Sequence, residues 1–430
     1  MTVEQRTIPA APGRLAGEPA QGAREMAPVS VIMITLALDA LGFGIAIPVL
    51  PDQVSAVMGG REAGTLFLGV LVACYSLMQF VFAPLLGAAS DAWGRRPVMM
   101  VALVGALASN LMLAFAPGFG WLLAGRLCAG ATAASASVAT AYLADITTPE
   151  RRAARFGLMG GMVGLGLVAG PACGGLLGTF GASVPFVVTS VLAAVNVLGA
   201  VLWLPESHPP ESRVQFTVSR ANPLGSMRLL RHNATLRRIV IAACFGMTAY
   251  GIFLACFVLS NELRFGWGSR ENGIALGALG LGITLTQTFL MRHVVARCGE
   301  RRTALLGYLL FIGAYMAYGF AASVTMMAIA IAMHSLALVN DPALRALVSI
   351  EAGPSRQGEY LGAMVCLMEL AATIAPLLGA AMLHYVQRSA APAHYLGLPF
   401  FVAALLYLFA FGALLLEHSD KANALRAKRS

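Results

Sequence analysis

The chain has 430 residues, 58% hydrophobic and only 11% charged, with 29 Lys and Arg against 20 Asp and Glu, a net charge of +9. Soluble domains carry about a quarter charged residues, so a water-soluble globule is excluded and the bilayer is the solvent this composition requires. The strict polar–apolar alternation of a membrane β-barrel is missing, and the positive charge, with no basic patch interleaved with aromatics, points to topology and anionic lipid rather than nucleic acid.

Residues 1–28 are polar and carry Pro9, Pro12, Pro19 and three arginines. They are predicted to be a disordered cytoplasmic tail and not a cleaved signal, because no short apolar stretch precedes the first span. Twelve apolar stretches follow, at 29–51, 65–86, 98–117, 120–144, 155–180, 184–204, 238–260, 271–291, 303–321, 324–347, 359–386 and 398–416. Each suits a membrane-spanning helix, which needs about 20 residues. The expected organisation is an N-terminal six-helix bundle over 29–204, a cytoplasmic linker over 205–237, a C-terminal six-helix bundle over 238–417 and a basic cytoplasmic tail over 418–430. Charge supports it. Twenty-four of the basic residues fall in the tails and in loops on the tails' side; Arg61, Arg264, Arg270 and Arg388 fall opposite, and Arg126 lies within a span. This excess places both termini in the cytoplasm.

The sequence also repeats itself. Gly94 and Arg95-Arg96 recur as Gly299 and Arg301-Arg302, and Pro149, Arg151, Gly157, Pro171 and Gly174 recur as Pro354, Arg356, Gly362, Pro376 and Gly379. Apart from the arginine pair, which is shifted by one more, these share one offset of 205 residues, so the chain is a duplicated six-helix unit.

Polar residues inside spans are the functional candidates, since each is costly in lipid. In the first span, Asp39 is an acid at lipid depth, suited to exchanging protons or, alternatively, to capping a helix break. Gln79 lies in the second span and Asn110, beside Ser109, in the third. The loop Gly87-Ala-Ala-Ser-Asp91-Ala-Trp-Gly94-Arg95-Arg96-Pro97 follows the second span. Here Gly87 is expected to let helix ends approach, Asp91 to sit at the N-terminus of the next helix, and Arg95 or Arg96 to pair with Asp145 at the end of the fourth span. Arg126 is a base deep in apolar sequence; it needs a partner or a cavity, or else snorkels outward. Gly166, Gly170 and Gly174 fall every fourth residue on one face of the fifth span, with Pro171 bending it. In the second half, Gln287, His334, Asn340, Asp341 and Glu369 stand out. Asp341 and Arg345 are spaced as an i,i+4 ion pair, and a lone helix histidine such as His334 is ordinarily just hydrogen-bonded. Glu369 has no base one turn away. The seven cysteines lack metal-ligand spacing and read as small packing residues.

These features together resemble the major facilitator superfamily. The loop after the second span resembles its signature loop, the Gly-Pro run in the fifth span its antiporter signature, and Arg126 its helix-four arginine. The phrases Leu38-Asp39-Ala40, Pro48-Val49-Leu50-Pro51, Leu77-Met78-Gln79-Phe80, Leu204-Pro205-Glu206-Ser207, Asn222-Pro223-Leu224 and Arg356-Gln357-Gly358 resemble the tetracycline efflux branch, over residues 31 to 415. The resemblance implies two pseudo-symmetric bundles of six transmembrane helices around a midplane site, and proton-coupled antiport by alternating access in a bacterial inner membrane. With the polar residues read above, this leads us to expect proton coupling at Asp39, Arg126 and Glu369, gating at the signature loop, Asp145, Gly166, Gly170, Pro171 and Gly174, and substrate contact at Gln79, Asn110, Gln287, His334, Asn340 and Asp341. The expected partners are a small molecule, protons and lipid, the substrate travelling alone or as a divalent-metal complex; no cofactor, no resident metal, no enzyme activity and a monomer are expected.

The departures bear on substrate. The tetracycline pumps carry an acid in the third span, a histidine in the eighth and an aspartate in the ninth, where this chain has Ser109, Ile283 and Phe311. Glu369 is the candidate replacement for the last. Export of a tetracycline-like drug, export of an endogenous metabolite or siderophore, and a non-transporting membrane sensor are the readings left open.

Overall fold

The computed structural model describes residues 21–133, 135–216, 233–353, 356–389 and 393–427. Most of the expected tail, the centre of the linker with Asn222-Pro223-Leu224, and Pro354 lie outside them. The described regular elements are all helical: α1 (Gln21–Met58), α2 (Arg61–Trp93), α3 (Arg95–Ala114), α4 (Phe119–Thr132), α5 (Ser135–Ile146), α6 (Pro149–Gly178), α7 (Val184–Trp203), α8 (Ala234–Phe265), α9 (Ser269–Leu285), α10 (Met291–Phe320), α11 (Val324–Ala337), α12 (Asn340–Ala352), α13 (Gln357–Arg388) and α14 (Leu398–Ala427). Helix α1 opens ahead of the expected position 29, and α14 runs on into the expected basic tail.

Eleven stretches of the described residues are long and apolar enough to cross a membrane. One of them, Ser269–Phe320, is 52 residues long, far more than one crossing needs. It is interrupted by a π-helical turn at Thr286–Leu290 and by Gly299, whose φ of 74° and ψ of 163° lie outside the helix. The chain is therefore a multi-pass membrane protein.

The duplication is carried into backbone geometry. Gly94 ends α2 at φ 105° and ψ 155°, and Gly299, its counterpart, reverses the chain in the same way. The fourth stretch of the first half breaks between Thr132 and Ser135; the matching stretch of the second half breaks between Ala337 and Asn340, at the same 205-residue offset. Arg96 Nη2 donates to the Val201 carbonyl of α7 at 3.0 Å, and its counterpart Arg301 donates to the Leu414 carbonyl of α14. In each half the arginine two residues after that glycine thus ties the first loop to the sixth span.

Glycine sets how closely helices pack. A Cβ on Gly166, Gly170 or Gly174 of α6 would lie 2.5, 2.7 and 2.5 Å from the carbonyl oxygens of Ala37, Leu41 and Ile45 on α1. The periodic glycine face expected from the sequence is thus a seam against the helix that carries Asp39. Gly175 faces the other way, where a Cβ would lie 2.7 Å from Gly273 of α9 in the opposite half. This second seam fades along α6: Gly178 meets Ser269 at 3.0 Å, Gly164 reaches only Thr284 at 4.0 Å, and Gly161, Gly160 and Gly157 face open space. Two polar contacts between the halves lie at the same closed end: Ser269 Oγ donates to Asp52, and Thr65 Oγ1 to Gln387 Oε1 at 2.8 Å. The halves meet at the end distant from the basic loops and part towards those loops.

Gly87 differs from expectation. A Cβ there would meet nothing within 4 Å, so no helix end approaches it. Gly174→Val, which drives a side chain into backbone, is expected to cost about 1–3 kcal/mol and to lower the Tm of the detergent-purified protein. Gly87→Ala should leave Tm unchanged.

Candidate functional site

Two clusters hold most of the sequence candidates. The first surrounds Arg126 on α4. Its side chain is 6% exposed, its Cζ lies 4.4 Å over the Tyr75 ring, and Nε donates to the Leu71 carbonyl of α2 at 3.5 Å. The head is turned inward, so the snorkelling alternative is not what the fold adopts. It borders a cavity of about 260 Å³ that is also lined by Asp39, Tyr75, Asn110, Thr132, Thr189 and Asn196. A base from α4 and an acid from α1 thereby line one cavity with the Tyr75 ring, while Glu369, half-buried on α13 in the opposite half, is not among the residues that line it. An aromatic face favours the cation, and the low dielectric strengthens every charge interaction there.

Asn110 lies beside Ser109 on α3. Its Nδ2 donates to the Ala106 carbonyl at 2.9 Å and its Oδ1 accepts from Thr189 at 3.1 Å. The cavity wall here is neutral and hydrogen-bonded.

The other substrate candidates are not brought into this cavity. Gln79 is half-buried and Gln287 is exposed within the π-helical turn. His334 is fully buried, ringed by Phe253, Phe311 and Tyr315 at centroid distances of 4.8, 5.4 and 5.5 Å, with Nδ1 3.3 Å from the Tyr318 hydroxyl. Asn340 is a packing residue whose Nδ2 donates to the Ala304 carbonyl at 2.7 Å. Asp341 pairs with Arg345 at 2.9 Å, as their spacing predicts, and Arg345 is also within electrostatic reach of Glu369. Phe311 stacks on Tyr407 with centroids 4.4 Å apart and planes 2° from parallel. An aspartate at 311 would be buried against these rings, which accounts for its absence.

The second cluster lies at the basic end of the first half. Arg95 Nη1 is 2.5 Å from Asp91 Oδ1 and Nε is 3.1 Å from Asp145 Oδ2, the pairing expected from the sequence. The role expected of Asp91 belongs to another residue. Helix α2 runs through Trp93, so Asp91 is in its last turn and not at the start of α3. The carboxylate that caps α3 is Glu206, which follows α7. Its Oε1 accepts from the Arg95 backbone N–H at 2.9 Å and its Oε2 from that of Arg96 at 3.3 Å. Free N–H groups and the helix dipole favour an anion there. A Cβ on Gly94 would collide with that Glu206 carboxylate, so residue 94 must be glycine both for its positive φ and for the cap.

Sequence reasoning missed the strap of residues after α7 that completes this cluster. Arg213 lies 3.8 Å from Glu206, the Val214 N–H donates to the Asp91 carbonyl at 3.2 Å, and Phe216 stacks on Trp93 with centroids 5.6 Å apart. His208 Nδ1 is 3.9 Å from Asp145 and Tyr142 donates to the Pro205 carbonyl at 2.8 Å. The signal that was available is the resemblance at Leu204-Pro205-Glu206. Glu206→Ala should cost about 1 kcal/mol by loss of a helix cap, seen as a lower Tm. Gly94→Ala should cost more, and equal Tm values for both variants and wild type would contradict the cap.

No group of three or more His, Cys, Asp or Glu among the described residues is placed to hold a metal ion, and the seven cysteines are free. The family model for the Major Facilitator Superfamily matches residues 32–293 and 257–429. The chain is 35% identical over 385 residues to the class C tetracycline resistance protein of Escherichia coli, covering 89% of this chain and 95% of that one. It is 34% identical over 358 residues to the Escherichia coli class B protein, covering 82% and 88%, and 27% identical over 405 residues to human major facilitator superfamily domain-containing protein 10, covering 82% and 87%. Among solved structures, the nucleoside transporter NupG superposes with a TM-score of 0.75 at 14% identity, covering 90% of this chain and 99% of that one, and the human organic anion transporter MFSD10 with 0.68 at 24%, covering 92% and 100%. The buried arginine, the duplicated halves and the capped signature loop thus sit in a chain that belongs to the major facilitator superfamily, as a multi-pass membrane transporter.

Proposed function

We propose that this transporter exports a small amphipathic molecule, such as a tetracycline-like drug, in exchange for protons by alternating access. The observation that carries the reading is that Asp39 and the buried Arg126 line one cavity. Asp39 sits on the helix that packs along the α6 glycine seam, so protonating it changes the balance of charge beside the surface on which the halves move, and Glu369 on α13 supplies the second proton-coupling carboxylate. The relatives named as tetracycline resistance proteins support a drug as the cargo.

In this reading Ser269–Phe320 counts as two crossings, which gives twelve. The basic loops and both termini face the cytoplasm, the membrane is the bacterial inner membrane, and the protein works as a monomer with the proton gradient as its energy source and no cofactor. The wedge opened along α6 then faces the cytoplasm, where cargo binds. The cluster of Asp91, Arg95, Asp145 and Glu206 acts as the cytoplasmic latch, and the α6 glycine seams act as the pivot. Substrate is carried alone or as a divalent-metal complex.

A second reading, export of an endogenous metabolite, is favoured by the neutral Ser109 and the stacked Phe311 at the positions where the resemblance to the drug pumps implies acids. A non-transporting sensor is disfavoured, because it has no use for a capped latch and two glycine seams.

The test is proton release from energised everted vesicles on addition of tetracycline with magnesium. Wild type should release protons and Asp39→Asn should lose the signal by an order of magnitude or more, in the range by which a proton-transfer group acts. No release by folded wild type would reject tetracycline as cargo and move the assignment to the metabolite.

A further inference from the structure

Helices α1 and α7 pack side by side in the first half, and at the end near the basic loops they diverge around a groove of about 320 Å³. Its walls include Ile34, Leu38, Val195, Asn196, Gly199 and Trp203. Ile34, Val195 and Trp203 are exposed on the membrane-facing surface. Leu38 and Asn196 line this groove and also the central cavity that holds Asp39 and Arg126. Leu38 and Asn196 therefore form a wall that the two share.

Two details are unlike a plain lipid-facing crevice. Thr35 is fully buried and donates to Asn196 Oδ1 at 3.1 Å, with Asn196 itself 6% exposed. A polar pair has no favourable role against hydrocarbon, but it offers hydrogen bonds to a polar group passing inward. Gly199 is the other. Where glycine lets helices touch, as along α6, a Cβ would meet the neighbouring backbone; on Gly199 it would meet only the Trp203 ring, at 3.7 Å. Glycine here leaves space.

Resting on the transport reading above, we propose that the α1–α7 groove is a side portal. Through it an amphipathic substrate, with a planar apolar portion and a polar edge, moves from the adjacent bilayer leaflet into the central cavity. Leu38 and the Thr35–Asn196 pair form its inner door, and Trp203 flanks its mouth.

The decisive experiment uses the full chain with its seven cysteines replaced by serine or alanine, reconstituted in liposomes, carrying Leu38→Cys. Pyrene maleimide dissolved in the bilayer should label that thiol. Adding Gly199→Phe, which fills the groove, should slow labelling about tenfold because the walls then meet, and Gly199→Ala should not. Labelling that Gly199→Phe leaves unchanged would overturn the portal, since the thiol is then reached through the aqueous cavity. If the phenylalanine variant does not fold, oxygen and nickel-chelate accessibility of a spin label on L38C decides the same point. Preferential oxygen access supports the portal, and preferential nickel access overturns it. In parallel, efflux of membrane-partitioning minocycline by otherwise native Gly199→Phe should fall severalfold below wild type, and unchanged efflux would overturn the portal. Wild type that moves no tetracycline at all rejects tetracycline as cargo, while the labelling result still decides the groove.

Discussion

A guanidinium buried at bilayer depth is the constraint around which this molecule is arranged. Such a charge costs at least about 2.5 kcal/mol in a spanning helix unless it is met by partners or a cavity. Arg126 has both: the Tyr75 face, the Leu71 carbonyl and a cavity with Asp39 on its wall. Asp39 is held at that wall by the α1–α6 seam, where three glycines bring two backbones into contact. The same α6 turns Gly175 to the opposite half. One helix therefore links the charge site to the surface on which the halves move.

That surface is graded. Contact between α6 and α9 is tight near Gly175 and Gly178, marginal at Gly164 and absent from Gly161 to Gly157. Glycine backbones in contact can shift past each other without repacking side chains, which suits a pivot of the rocking kind that duplicated transporters use. At the far end of the lever, the capped start of α3 and the strap after α7 stiffen the first half as one body. The C-terminal half is stiffened otherwise, by a buried layer of rings around His334.

Much of this was legible in the sequence, because duplication and charge leave local marks. The 205-residue offset predicted that Gly94 and Gly299 are equivalent, and their backbones match. The Arg95–Asp145 pairing was read from two motifs that end neighbouring spans. Glu206 was not, because it lies 111 residues from the N–H group it caps and a carboxylate after a span looks like linker. Asp91 was placed on the wrong helix because helix ends are uncertain by a turn wherever glycine alone separates two helices. His334 looked like a pocket residue because tyrosines and phenylalanines within spans read as generic apolar sequence. Only three-dimensional packing shows that they close around it. The α1–α7 groove leaves no sequence mark beyond Gly199.

The account's central claim is that acids from both halves, Asp39 beside Arg126 in the first and Glu369 in the second, couple protons to transport, and Glu369 is where it is most exposed to test. The direct measurement is drug-driven proton release in everted vesicles by Glu369→Gln, set beside energy-independent exchange of the same drug in proteoliposomes. The account predicts that exchange persists while proton release is lost. Proton release equal to wild type would contradict it and would confine coupling to the first half.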